Sequence, residues 1–183
     1  MADSVWTATL AQFRDRVASH EPLPAGVTSA AVSATFAVAL LCKVLQVTMR
    51  HKDFRGDPDL VNGLLRDARD TSEKLSRLAD DDVLAFQEYM DCARRKQPMD
   101  AAIRKTIEVP LNVARTAAEG ITLCEKAVGH VHAVVAPDLG VAAGLLAGAV
   151  RSTLITVSSN LNQLPENDPY RMEASVEAGR LAI

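Results

Sequence analysis

Between Ser29 and Met49 the chain reads SAAVSATFAVALLCKVLQVTM, and Lys43 is the single charge within it. A helix made of this stretch is apolar nearly all round, so something must surround it, either lipid or other helices. About 20 residues would be enough to cross a bilayer. The run is rich in Ala, Ser and Thr, however, and Lys43 lies well inside it, which reads as the central helix of a protein core. No membrane partner is expected. A helix buried on every side needs several others packed around it.

The rest of the sequence supplies them. Apolar residues recur at helical spacing almost everywhere, no stretch alternates apolar with polar over strand length, and aromatics make up only 4%. The expected fold is all-α: one domain over residues 1–183, a bundle of five to six helices with long Ala/Gly-rich helices at its centre. A first helix is expected from an Asp3 or Ser4 N-cap to about His20, burying Trp6, Leu10, Phe13 and Val17, until EPLPAG breaks it. The second starts near Thr28 or Ser29 and ends near Arg50. Asp57 as N-cap and Pro58 at the first position open a long third helix to about Lys96. Its buried stripe is Leu60, Leu64, Ala68, Leu75, Leu78, Phe86 and Tyr89. The fourth runs from near Pro98 to Gly129 and must bend or break at Pro110. The fifth is expected from an Asp138 N-cap to about Gln163, and Asp168 with Pro169 opens a short last helix. Gly140, Gly144 and Gly148 lie four apart on one face of the fifth helix. That spacing invites close approach of the second helix or of the same helix in a second subunit, which suits a twofold homodimer.

Twenty basic against 23 acidic residues give a net charge of −3 with no long basic run, so nucleic acid is not an expected partner. Cys42, Cys92 and Cys124 are odd in number and widely spaced, which fits reduced core thiols and a cytoplasmic location. MADSVWTATL lacks the basic start and apolar core of a signal peptide.

Chemistry has few candidates. In RLADDDVLAF a helix turns about 100° per residue, which puts Leu75, Leu78, Phe86 and Tyr89 within about 40° of Asp82. Asp81 lies about 100° away, four residues after Arg77, where an exposed pair can form, and Asp80 points opposite the stripe. Both are expected to be solvated. A carboxylate facing a core must be hydrogen-bonded, paired or protonated, and desolvation raises its pKa towards the range of a useful acid or base. Two readings of Asp82 stay open: a core-edge residue bonded to a helix end or a buried Arg, or a catalytic group. Arg151 is the lone charge between Leu139 and Gln163 and either binds an anion or a neighbouring carboxylate, or extends to solvent at the bundle edge. His130 and His132 lack a third ligand at sensible spacing, and neither CxxC nor HExxH occurs, so no metal is expected. No serine or cysteine nucleophile carries a sequence signature, and there is no familiar phosphate loop.

Several segments, in order from about Leu10 to Leu164, resemble the cyclodeaminase and methenyltetrahydrofolate cyclohydrolase family. FRDRVASHEPLPAGVTSAAVSATFAVALL is similar to that family's opening helix, Pro-Gly loop and Ala-rich helix. LADDDVLAF resembles its Asp-x-x-Ala-Phe segment, IEVPLNVA its Val-Pro-Leu segment, and GHVHAVVAPDLGVAAGLLAGAV with VSSNL its small-residue helix and late Asn-Leu. The resemblance implies an all-α dimer acting on one-carbon derivatives of tetrahydrofolate, with Asp82 as the catalytic aspartate. It also implies binding roles for Gly26 and Thr28 in the loop, Asp138 at a pterin edge, His130 and Asn160 near substrate or water, and Lys43, with Arg50 and Lys52, near the glutamate tail. The loop departs from the family's Pro-Gly-Gly-Gly-Ser, reading Pro24, Ala25, Gly26, Val27, Thr28. A Pro-Lys-Asn loop is mostly deleted at RRKQPMD. Three functions follow: a cyclohydrolase or cyclodeaminase, its chemistry open to redirection towards another one-carbon acceptor; a folate or small-ligand binder without catalysis; or a structural helical dimer.

Overall fold

The computed structural model describes residues 4–182. Among them run six α-helices and no strand: α1 (Leu10–Val17), α2 (Gly26–Arg50), α3 (Pro58–Arg95), α4 (Asp100–Ala127), α5 (Ala136–Leu161) and α6 (Pro169–Leu181). α2 to α5 form a four-helix ring in which α2 packs against α3 and α5, α4 packs against the same two, and α2 faces α4 across the diagonal. The Ala-rich run is therefore not surrounded on every side as expected: Ala31, Ala34, Ala37, Val38, Leu41, Val44 and Leu45 are fully buried on its inner faces, while Ser33, Phe36, Lys43 and Val47 form an exposed outer stripe. Small side chains let its neighbours approach on several sides at once. Both α2 and the segment Ala133–Leu161 are long and apolar enough to cross a membrane, and the apolar window of α2 is 56% buried within the bundle.

Local chemistry sets the boundaries. Asp57 accepts from the N–H groups of Asp59 (2.8 Å) and Leu60 (3.3 Å) to start α3. Lys96, in the left-handed region at φ 54°, ends it. α4 passes through Pro110 without interruption. Asp168 caps α6 through Tyr170 and Arg171 and receives Arg104 at 2.7 Å, which docks that short helix on α4.

Further expectations change. The N-terminal segment is not one helix: a single 3₁₀ turn over Val5–Thr7, capped by Ser4, gives way to extended Ala8, and α1 begins afresh at Leu10. The cause is the capping box of Thr9 with Gln12, which starts a helix where continuation was expected. Trp6, Leu10 and Val17 are exposed rather than buried, as is Leu60 at the start of the expected α3 stripe, and the alternative cap, Asp3, lies outside the described residues. α2 begins two residues early, so Thr28 sits inside its first turn. Asp138 is not an N-cap, because a 3₁₀ turn over Ala133–Val135 leads directly into α5 and places Asp138 within its first turn. The row of Gly140, Gly144 and Gly148 does not receive a neighbouring helix of this chain: a Cβ at any of them would meet nothing within 4 Å. Close approach falls instead on Gly120 of α4, where a Cβ would stand 3.1 Å from both methyls of Leu146.

Candidate functional site

The three aspartates of α3 do three different things. Asp80 is not solvated: its Oδ2 accepts from the Ser4 hydroxyl at 2.7 Å and its Oδ1 from the Val5 N–H at 2.8 Å, while Trp6 Nε1 donates to the Ser76 carbonyl at 2.9 Å. The helical angle is as expected, but the N-terminal segment covers the face that rotation pointed outwards. Asp81 is exposed. Arg77 pairs with Glu73 at 2.8 Å, one turn earlier, rather than with Asp81.

Asp82 points into the bundle. α2 opens with Ala25 as its N-cap, which offers no side-chain bond to the first N–H groups of the helix. Asp82 supplies that cap from a different helix: its Oδ2 accepts from the Thr28 hydroxyl at 2.6 Å, and the Thr28 N–H also bonds the carboxyl. Thr28 is fully buried. Burial pushes the Asp82 carboxyl above its ordinary value of 3.8, and the two Thr28 bonds oppose that shift without cancelling it. The core-edge reading of Asp82, bonded to a helix end, is thus realised in its geometry. It does not exhaust that geometry, because the carboxyl also opens onto a cavity.

That cavity, about 140 Å³, lies between the start of α2, the middle of α3, and the facing stretches of α4 and α5. Gly26, Val27, Phe86, Thr106, Thr156 and Asn160 line it around Asp82. From Gly26 a shallower groove of about 340 Å³ continues along Ser29 and Ser33 of α2 and Gly144, Gly148 and Ser152 of α5. The open glycines of α5 therefore floor a groove. A hollow of about 300 Å³ between α3 and α4 is lined by Asp67, Asp70, Lys74, Glu119 and Lys126, all exposed charges. A carboxyl held half-buried among hydroxyls and an amide suits proton transfer better than that solvated cluster does.

The sequence profile described as Formiminotransferase-cyclodeaminase matches residues 9–178. This chain belongs to that family. A methenyltetrahydrofolate cyclohydrolase of Methylorubrum extorquens is 27% identical over 169 residues, covering 86% of this chain and 81% of its own. The formimidoyltransferase-cyclodeaminase of Gallus gallus is 23% identical over 186 residues, covering 96% of this chain but 34% of its own length. The crystal structure of formiminotetrahydrofolate cyclodeaminase from Thermotoga maritima superimposes with a TM-score of 0.90 at 23% identity, over 97% of this chain and 89% of that one. At that identity the likeness concerns the fold.

Of the expected site residues in this family member, Asp82, Thr28, Gly26 and Asn160 converge on one cavity. Lys43 and Asp138 instead bond one another at 2.9 Å. Lys43 stands fifteen residues beyond Thr28 on α2, about 22 Å along the helix. His130 closes a 3₁₀ turn beyond the far end of α4, and its neighbour His132 stacks on His51 at 3.6 Å between ring centres. None of Lys43, His130 and Asp138 reaches the atoms around Asp82 within the chain. Arg151 is exposed on α5 next to the groove residue Ser152. Among the described residues no three His, Cys, Asp or Glu side chains gather as a metal site would require. Thr106 and Thr156, which also line the cavity, are not among the expected site residues. Thr106 carried a readable signal, since it lies four residues before Pro110, and Thr156 carried none.

Proposed function

We propose that this chain is a methenyltetrahydrofolate cyclohydrolase that uses Asp82 as its proton-transfer group. The single observation carrying the assignment is the half-buried Asp82 carboxyl, raised in pKa, on a cavity at the start of α2 in a member of this family. The cyclohydrolase leads over the cyclodeaminase because the Methylorubrum relative matches along most of both chains. The relatives' names give no support to a different one-carbon acceptor.

The substrate carries a cationic methenyl carbon between two nitrogens. Ionised Asp82 stabilises that cation and takes a proton from water as the water oxygen bonds to the carbon. The bond from this carbon to one nitrogen then breaks as the protonated carboxyl gives its proton to the departing nitrogen and the adduct's hydroxyl loses its remaining proton to solvent, leaving a formyl group on the other nitrogen and a net release of one proton. One carboxyl serves as base and then acid, and a raised pKa brings its two forms closer in energy near neutral pH. The Thr28 hydroxyl fixes the orientation of the carboxyl. The N–H groups at the start of α2, near Gly26, favour an electron-rich substrate edge. The groove beyond Gly26 holds the part of the folate remote from the reacting carbon. The same site performs the cyclodeaminase reaction if the protonated carboxyl donates to departing ammonia, which is the second reading.

The proposal extends to a cytoplasmic homodimer acting on free folate, with no role for nucleic acid or membrane. Support for the dimer comes from the outward faces of α2 and α5, where Phe36, Val141, Leu145 and Ile155 are 47%, 53%, 44% and 73% exposed. Light scattering on a size-exclusion column tests it, and a monomer at micromolar concentration refutes it. For the reaction itself, purified protein is mixed with methenyltetrahydrofolate where spontaneous hydrolysis is slow, and loss of the methenyl chromophore is followed. Acceleration that disappears in Asp82→Asn supports the assignment. Binding without turnover, or ammonia release from the formimino derivative alone, overturns it.

A further inference from the structure

Pro110 sits inside α4 and has no N–H, so the carbonyl four residues earlier, that of Thr106, loses its donor within the helix. Thr106 is buried, and its carbonyl needs a partner from elsewhere. Asn160 provides one from the end of α5: its Nδ2 donates to the Thr106 carbonyl at 2.7 Å. Only the NH₂ end of an amide can face a carbonyl, so this bond fixes which way the side chain is turned. Its Oδ1 then accepts from Gln163 Nε2 at 3.4 Å, and Gln163 Oε1 accepts from the Tyr89 hydroxyl at 3.0 Å. The sequence of bonds runs from α3 through the end of α5 to α4. Thr106 and Asn160 both line the cavity that holds Asp82.

We infer that Asn160 is a positioning residue. It acts through the Thr106 carbonyl left free by Pro110, satisfying that acceptor so that the α4 backbone keeps its helical path along the cavity wall beside Asp82, and it does not work on the reacting atoms. The role rests on the cyclohydrolase reading above. Proline and asparagine are the two halves of one device, since the first creates the vacant acceptor and the second fills it from another helix.

A double-mutant cycle tests the pairing. Asn160→Ala should lower kcat for methenyltetrahydrofolate by about tenfold to a hundredfold, with a much smaller change in KM, as expected when a wall shifts by a fraction of an ångström. Pro110→Ala returns an N–H to the Thr106 carbonyl and should stay close to wild type. In that background Asn160→Ala should cost little, so the double variant recovers most of the lost kcat. A double variant as impaired as Asn160→Ala overturns the inference in favour of direct contact with substrate or water. A lower melting temperature with unchanged kcat well below the melt overturns it in favour of a purely structural bond. If Asn160→Ala fails to fold, comparing Pro110→Ala with the double variant decides the same question. A wild-type protein without turnover fails the cyclohydrolase reading and this role with it, whereas an active wild type with a normal Asn160→Ala fails this inference alone.

Discussion

Replacing Asp82 by Asn should separate activity from stability. Burial disfavours the charged carboxyl more than the two Thr28 bonds favour it, which is why its pKa lies above 3.8. The folded state therefore holds the Asp82 proton more tightly than the unfolded chain does. This contribution to stability is fully present below pH 3.8 and is lost as pH rises through the raised folded value, leaving an ionised group that costs stability at neutral pH. Asparagine carries no such cost, and its Oδ1 can still accept from the Thr28 hydroxyl. Against that gain, a hydrogen bond to a charged group worth about 1.5–3 kcal/mol becomes a neutral one worth about 0.5–1.5 kcal/mol. The Thr28 N–H also loses an acceptor in the first turn of α2, at about 1 kcal/mol for a missing cap. These losses and the relieved desolvation offset one another, so the variant should lie within about 2 kcal/mol of wild type at neutral pH. Loss of the proton acceptor should lower kcat by a factor of about 100 to 10,000. Denaturant titrations at intervals from about pH 4 to 7, beside chromophore decay at neutral pH, measure both. Wild-type stability should fall relative to the variant as pH rises through the interval. The reasoning fails if the variant keeps nearly full kcat, or if it loses more than about 3 kcal/mol at neutral pH, which would make Asp82 chiefly a structural cap.

Thr28→Val removes the hydroxyl that lowers the Asp82 pKa, so the acid limb of the kcat–pH profile should move to higher pH; an unmoved limb would show that another group titrates there. Gly120→Val drives atoms into the Leu146 methyls and should cost about 1–3 kcal/mol in denaturant titrations. Gly144→Ala meets open space in the chain and should leave the melting temperature unchanged or raise it, while raising KM if the groove it floors holds folate. Asp168→Ala removes the cap of α6 and the partner of Arg104, and should lower stability by about 1–2 kcal/mol with kcat unchanged.

Much of this fold can be read from helical spacing, because the long helices have broad apolar faces that must be buried against one another. The Asp57 and Asp168 caps follow from local chemistry and stand where the sequence puts them. The departures arise where one local signal competes with another. At the N-terminus a capping box at Thr9 outweighs the apolar periodicity that would carry a helix on from Ser4. At the start of α5, a 3₁₀ turn takes the place that an Asp138 cap would have marked. The glycine row has the spacing of a helix contact, yet spacing alone cannot say whether a partner helix or open space lies across from it.

The aspartates draw the same boundary within a single turn. Rotation about the α3 axis is set by the backbone, so the inward aim of Asp82 and the outward aim of Asp80 follow from counting residues. What lies over each direction is set by segments far away in sequence. Asp80 is covered by residues 75 and 76 positions earlier, and Asp82 meets a helix start 54 positions earlier whose own N-cap is empty. That empty cap is not legible in the sequence, which places the helix start near Thr28 or Ser29; only the fold puts Ala25, a residue without a capping side chain, at the N-cap. The vacant Thr106 carbonyl, by contrast, follows from the position of Pro110 in its helix. In both places the backbone leaves a polar group without a local partner, and the fold answers from another helix, with Asp82 at the first and Asn160 at the second. Both answering residues line one cavity, so the proposed chemistry falls where two gaps in local hydrogen bonding meet.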